Sequence, residues 1–411
     1  MASPLFRSFP LLPALLLGWQ ATAAAPGTLP LPTPVAPPAA VTRVTPPLRL
    51  QLRLSAPEPV LIGSRVERPS LERQFTLLVP GEQAARLRTS GDLSPLRAAL
   101  DRVYTQVEAR RARDVRFFRE GNSWVARAQT GWKVDRKQTE ARLREALGRG
   151  EGSSALVLRL RAPARSVRWA HGQGLTHLAS GRSTFAGSPG FRVQNIRVGA
   201  GKLHGTWVAP GAEFNFNMRV GRIDAAGGFV RGYVITGRTL SLEDGGGLCQ
   251  VSTTVFRAAH AAGLPITERH AHSYQVAYYD PPGLDAAVYA PSKNLRWRND
   301  TAGPLLVQAS WDLSRRELRI DLFGRPDGRK VWVAAPRQAD VRPPPPPAFV
   351  ADANLRPGET RRLDMPAPGS RVSVARQVRY ADGRVVRDET RSVYRPWGGL
   401  FAVSPQDGRV R

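Results

Sequence analysis

In Asp244-Gly-Gly-Gly-Leu-Cys-Gln-Val-Ser-Thr-Thr-Val-Phe-Arg-Ala-Ala-His-Ala-Ala-Gly-Leu-Pro265 three glycines give way to an apolar series at Val251, Val255, Ala258, Ala259 and Ala262. That spacing is one face of an α-helix. Gly263 suits the residue just past its end, and Pro265 prevents continuation. Cys249, the only cysteine of the chain, therefore falls in the first helical turn. There the unpaired N–H groups and the positive end of the helix dipole favour a thiolate. The glycines permit close approach of another segment. The N–H groups of Leu248, Cys249 and Gln250, and the Gln250 amide, are candidates for stabilising an oxyanion.

Downstream, Ile266-Thr-Glu-Arg-His-Ala-His-Ser-Tyr-Gln-Val-Ala-Tyr-Tyr279 is rich in aromatic and β-branched residues and reads as a strand. Its period of two places Glu268, His270, His272 and Tyr274 on one face. Such a strand beside the helix brings an imidazole to the sulfur, the arrangement of thiol hydrolases and acyl transferases. An orienting group for the imidazole is available from Asp285, Asn294 or Asn299. Asp285 ranks first because it follows the Pro281-Pro282-Gly283 turn. Two other readings stand beside this one. A lone cysteine is commonly a small buried hydrophobe. Cys249, His270 and His272 also offer three zinc ligands, although no fourth ligand is evident. No cofactor is expected.

Working outward, Leu203 to Phe216 contains Val208-Ala-Pro-Gly211, a type II turn. Asn294–Arg298, Leu305–Asp312 and Glu317–Phe323 read as a β meander. These segments define a central domain over 169–330. Before it, residues 49–168 read as an α+β unit: a strictly alternating strand at Leu48–Leu54, a helix within Leu93–Arg113, a hairpin around Glu120-Gly121-Asn122, and a helix capped by Asp135. After it, 331–347 with its run of five prolines reads as a stiff linker. Residues 348–411 form a small β module with a hairpin turn at Ala381-Asp382-Gly383. The expected class is a multi-domain α+β protein, with the cysteine helix packed on a mostly antiparallel sheet.

At the N-terminus, Arg7, the apolar run Leu11–Trp19 and Ala21-Thr22-Ala23 have the form of a secretory signal over 1–25. A Pro-rich linker follows over 26–48. The chain of 411 residues carries 60 Lys and Arg against 33 Asp and Glu, a net charge of +27. Such a field attracts polyanions. In an exported chain these are anionic wall polymers or, weakly, a membrane surface, and not nucleic acid. With one cysteine, no intrachain disulfide forms, so packing alone holds the fold. The oligomeric state is not readable from these features.

The motifs together resemble the VanW family: Arg192 and Asn195, Pro210-Gly211 with Glu213-Phe214, Gly232-Tyr233, Gly245-Gly-Gly-Leu-Cys-Gln-Val-Ser-Thr-Thr254, Gly263-Leu-Pro265, Glu268-Arg-His-Ala-His-Ser273, Gly283-Leu-Asp-Ala-Ala-Val288, and Asn294 with Asn299. The match spans about residues 183–325. Two departures are Asn215-Phe216, where the family often has Ser-Phe, and Ala271, where it often has Asn. Residues 49–168 look like the peptidoglycan-binding domain that often precedes VanW domains. Pro357-Gly358 and Ser392-Val-Tyr394 are similar to a G5-type wall-adhesion domain. The resemblance implies an exported bacterial cell-envelope protein that binds or acts on peptidoglycan, and it supplies no mechanism. Two functions follow as expectations. One is a wall-directed acyl transferase or amidase, with Cys249 as nucleophile, His272 as general base, Asp285 as orienter and Gln250 at the oxyanion. His272 is preferred to His270 because the family's His-Ser pair falls there. The other is a non-catalytic wall-binding scaffold.

Overall fold

A computed structural model of the chain describes residues 46–236 and 239–410. The expected signal segment 1–25, most of the linker 26–48 and residues 237–238 lie outside the described residues. The described part is α+β and is built in layers. Its seven helices are α1 (Gly81–Ser90), α2 (Arg97–Glu108), α3 (Arg136–Gly148), α4 (Val167–Gly172), α5 (Gly190–Leu203), α6 (Phe216–Val220) and α7 (Leu248–Ala261). None of them is long and apolar enough to cross a membrane.

The alternating segment at the start is the strand Leu48–Pro57, antiparallel to Ser70–Val79 and parallel to Ser153–Ala155. Its inward residues Leu50, Leu52 and Leu54 pack with Leu87, Leu100, Tyr104 and Leu143 from α1, α2 and α3. Asp135 caps α3, accepting the Gln138 N–H at 3.1 Å. Trp132, Val134 and Leu158 also pack there, whereas four other strands of residues 49–168 do not share this core. Strands Val60–Ile62, Arg65–Glu67, Arg113–Glu120 and Ser123–Gln129 form a separate sheet. Its apolar residues Leu61, Val115, Phe117 and Ala126 join α4 and one face of the central sheet, where Leu306 and Phe323 lie. The Phe117 and Phe323 rings stack at 4.2 Å. Gln308 grips the Phe117 backbone, accepting its N–H at 3.0 Å and donating to its carbonyl at 2.5 Å.

The central sheet runs in the order Thr176–Thr184, Glu317–Gly324, Leu305–Asp312, Thr206–Val208. Alternation along its strands sends Val307, Ala309, Leu318, Ile320 and Leu322 to the other face, under α5 and α7. Helix α7 rests so closely on the strand at Gly181 that a Cβ there would lie on the Thr254 carbonyl oxygen. Only glycine fits that contact.

Two expected elements differ. Strand Arg296–Arg298 does not continue the meander; it pairs with Glu213–Asn215 and Ile266–Glu268, and Trp297 stacks on Phe214 at 4.9 Å. The stiff linker 331–347 is largely strand: Lys330–Val333 and Arg337–Arg342 both pair with Gly369–Arg379. Residues 334–336 and the proline run stand outside. The expected hairpin forms between Gly369–Arg379 and Val385–Tyr394. A last sheet joins Ala348–Ala351, Leu400–Val403 and Thr360–Asp364.

Candidate active site

Helix α7 begins where the glycines predict. Gly247 is its N-cap, with φ +116°, a conformation that suits glycine. At its far end Leu264 N–H reaches Ala259 O at 3.1 Å and Gly263 has φ +71°, the left-handed close expected of that glycine. The glycine loop is anchored by Asn195 of α5. Its side-chain amide donates to Gly246 O at 3.2 Å and Val230 O at 2.9 Å, and its Oδ1 accepts the Val230 N–H at 2.9 Å. Cys249 is thereby held in the first turn, partly exposed, with its thiol 3.5 Å from the Val288 carbonyl.

The residues after the cysteine fix what stands beside it. Ser252 Oγ donates to Ala286 O at 2.6 Å, and Thr253 Oγ1 accepts the Ala286 N–H at 2.9 Å. These two bonds pin the segment around Asp285 along α7. Ala287 N–H in turn bonds His270 O at 2.8 Å, which brings the chain carrying His272 alongside. The long strand expected over 266–279 is absent. Regular pairing stops at Glu268, and residues 269–279 form a loop with one isolated bridge at His270 and a short 3-10 turn at Ala277–Tyr279. The period-two grouping of the two histidines therefore fails. His270 Nε2 turns to Glu268 Oε1 at 3.0 Å, and His272 turns to the thiol. A zinc site of Cys249, His270 and His272 is not assembled: among the described residues, no group of three or more His, Cys, Asp or Glu has metal-binding geometry.

His272 Nδ1 lies 2.5 Å from Asp285 Oδ2, which also accepts the His272 backbone N–H at 2.8 Å. This fixes the ring so that Nδ1 carries a proton and Nε2 faces Cys249. Asp285 is 3% exposed. Its other oxygen accepts from Arg269 at 2.8 Å and from the Tyr394 hydroxyl at 2.6 Å. Asn294 and Asn299, the other orienting candidates, are spent elsewhere. Asn294 bonds Asn215, and Asn299 bonds the Val208 and Gly303 carbonyls.

The electrostatics follow from these contacts. Burial works against charge at all three groups, but mutual pairing outweighs it. Burial raises the Cys249 thiol, and the hydrogen bond and charge of His272 bring it below its ordinary value. Burial lowers His272, and the hydrogen bonds to Asp285 and Cys249 lift it to about 9. Burial raises Asp285, and His272, Arg269 and Tyr394 hold it well below the usual carboxylate range. The pairing favours a thiolate facing an imidazolium backed by a carboxylate, the three titrating as a coupled unit.

Gln250 is placed differently from expectation. It is fully buried, its amide donates to Ser183 Oγ at 3.1 Å and Thr184 O at 2.7 Å, and its Oε1 accepts from Arg192 at 2.8 Å. With that amide occupied, it locks α7 to the sheet and holds Arg192 near the thiol. Of the three backbone N–H groups, those of Leu248 and Gln250 are committed to Gly245 O and Gly247 O at 3.0 Å each. That of Cys249 has no backbone acceptor among the described residues. Sequence reasoning did not assign a site role to Arg269, Tyr279, Arg192 or Tyr394. The Tyr279 ring lies 4.8 Å from the His272 ring, and its hydroxyl is 3.4 Å from Arg192. Arg269 directly precedes His270 in sequence, a position that could have flagged it.

Residues 191–323 match the family described as VanW like protein. The chain is 37% identical to the protein YoaR of Bacillus subtilis over 118 residues, which are 29% of this chain and 39% of that protein. It is 29% identical to the Vancomycin B-type resistance protein VanW of Enterococcus faecalis over 116 residues, 27% of this chain and 42% of that protein. The chain thus spans less than half the length of either relative. Residues 191–323, the part of the chain similar to the VanW family, hold the thiol, its imidazole and its carboxylate.

Proposed function

We propose that the protein is a cysteine-dependent acyl transferase or amidase that acts on peptide amides of the bacterial cell wall after export. The observation that carries this reading is the Cys249 thiol, on a half-buried residue at a helix start, electrostatically paired with an imidazole whose other nitrogen is held by buried Asp285. The chemistry follows from the charges. The Cys249 thiolate attacks the amide carbonyl carbon, and the Cys249 N–H faces the oxygen that gains charge. The C–N bond breaks as the His272 imidazolium gives its proton to the departing amine. The thioester left on Cys249 is then attacked by water or by a second amine, whose proton returns to the now neutral His272. The cell wall enters as the site of action from the E. faecalis relative, whose name links that protein to vancomycin resistance, together with the signal-like N-terminus.

Two measurements on the full chain test the reading. Iodoacetamide should alkylate Cys249 at neutral pH at least ~10-fold faster than free cysteine, because the thiolate fraction is larger. Mass spectrometry of protein incubated with purified sacculi should find an acyl adduct on Cys249 that is absent from Cys249→Ala. Labelling no faster than free cysteine, or sacculus binding and cellular phenotype unchanged in Cys249→Ala, would leave the non-catalytic scaffold as the function.

A further inference from the structure

A second cleft, of about 1180 Å³, lies in the N-terminal part, lined by the strands Ser70–Val79, Arg113–Glu120 and Ser123–Gln129 and by His204. Five arginines line it: Arg73, Arg110, Arg113, Arg116 and Arg127. Only two carboxylates do, Glu58 and Asp114, and both are already paired. Glu58 is bound to Arg110, and Asp114 to Arg165 at 3.2 Å. Arg127 is paired with Glu120 at 2.6 Å. That leaves Arg73, Arg113 and Arg116 with no carboxylate at ion-pair distance among the described residues.

Arg116 is the most telling of the three. Its Nε donates to His204 Nε2 at 3.3 Å, and one terminal nitrogen donates to Val115 O at 2.8 Å. The His204 ring donates from Nδ1 to Ala309 O at 2.8 Å, so Nε2 is the lone-pair side and the ring is neutral. The guanidinium is thus oriented by neutral acceptors while its charge has no counter-ion. Three guanidinium groups without a carboxylate partner around one cleft, one of them oriented, suit oxyanions borne on successive units of a chain, since the guanidinium fork matches phosphate geometry. Between the charges the wall is apolar: Val60, Leu71 and Phe118, the last 49% exposed. Such a surface takes the carbon face of a polyol or sugar unit. Phe118 is the only Phe, Tyr or Trp among the lining residues, too few for the serial base stacking by which single-stranded nucleic acids are held.

We propose that this cleft binds a flexible phosphodiester chain with polyol or sugar units between its phosphates. The site is separate from the thiol, and the proposal stands whether or not Cys249 is a nucleophile.

The test is fluorescence anisotropy of the full chain with a labelled glycerol-phosphate oligomer. Binding is expected to weaken by about 10-fold or more between about 50 and about 200 mM salt, as release of counterions from three or more phosphates requires. Arg73→Gln/Arg113→Gln/Arg116→Gln should lose at least ~10-fold in affinity and show a shallower salt dependence. Arg86→Gln/Arg88→Gln/Arg102→Gln, which removes the same charge from exposed positions of α1 and α2 outside the cleft, should bind as the parent does. Arg73→Gln/Arg113→Gln, which spares the partly buried Arg116, should give an intermediate loss if the triple variant folds poorly. The proposal is overturned by absence of binding, by equal losses in the cleft and control variants, or by tighter binding of a single-stranded DNA oligomer of equal charge.

Discussion

Tyr394 donates a 2.6 Å hydrogen bond to Oδ1 of Asp285, 109 residues earlier in the chain, and its hydroxyl oxygen accepts the Gly283 N–H at 2.8 Å. The carboxylate that orients His272 is therefore completed by the last long strand. Arg269 ties the same strand in, donating to Ser392 Oγ at 2.9 Å and Arg391 O at 3.0 Å as well as to Asp285. With Oδ1 occupied in this way, Oδ2 is left to the His272 ring and backbone. The C-terminal sheet is structurally part of the candidate site.

Removing the Tyr394 hydroxyl takes one bond from a buried carboxylate and leaves the Gly283 N–H without its acceptor. Tyr394→Phe should cost about 1.5–3 kcal/mol of folding stability, the range for hydrogen bonds to charged groups. Arg269→Leu should cost more, about 3–5 kcal/mol, because it leaves a buried carboxylate without its cation. Urea denaturation of the two variants reads both figures. In Tyr394→Phe the His272 ring should still titrate well above a free imidazole, because Oδ2 keeps its hold on Nδ1. An unchanged stability would show that the hydroxyl does not buttress the site, and loss of that elevation would show that Oδ2 alone does not hold the ring.

The charged pair also makes stability depend on pH in a definite direction. The folded value for His272, about 9, lies above the ~6.5 of a free imidazole, so the native state holds this proton more tightly than the unfolded chain does. Its stabilisation is complete below about pH 6.5 and is lost as pH rises through about 9. Asp285 is shifted the other way; its contribution is present above about pH 3.9 and lost as pH falls through its depressed folded value. His272→Gln should therefore cost most near about pH 6 and little above about pH 9.5. Urea titrations of parent and variant at several pH values give the difference curve. A difference that stays flat across that window would mean that the ring is uncharged in the native protein.

Part of this arrangement was legible in the sequence. Helix α7 announced itself through its apolar spacing and through Gly263 and Pro265, since local spacing and left-handed geometry are short-range properties. The preference for His272 rests on the family's His-Ser pair, and the rank of Asp285 on the Pro281-Pro282-Gly283 turn before it. The loop 269–279 was misread because aromatic and β-branched residues favour strands on average. Here Tyr279 and His272 serve ring contacts at the site, and Arg269 spends its donors across the loop. Gln250 looked available for an oxyanion because its sequence position does not reveal that Ser183, Thr184 and Arg192 saturate it. The Tyr394 contact had no sequence signal, because a hydroxyl on an alternating strand looks the same whether it meets water or a carboxylate. The strands within 331–347 were hidden by the prolines that follow them.

The seat of α7 offers a last test, because two glycines face it in physically different ways. A Cβ at Gly181 would lie on the Thr254 carbonyl oxygen and 2.8 Å from Ala258 N. Both are backbone atoms of α7 and cannot rotate away, so the helix must lift from the sheet. A Cβ at Gly199 of α5 would instead meet the Leu248 Cδ2 methyl, the tip of a side chain that can change rotamer. Gly181→Ala should thus cost about 3 kcal/mol or more, at the upper end of overpacking, and Gly199→Ala about 1 kcal/mol. In both variants, rapid alkylation of Cys249 should persist in whatever fraction remains folded. Ser252 and Thr253 carry the Asp285 segment with α7, so the thiol and its partners move together. Equal stability losses would show that the side-chain and backbone contacts are equally rigid. Loss of alkylation in Gly181→Ala at full folding would show that the sheet, and not the helix, holds His272 in place.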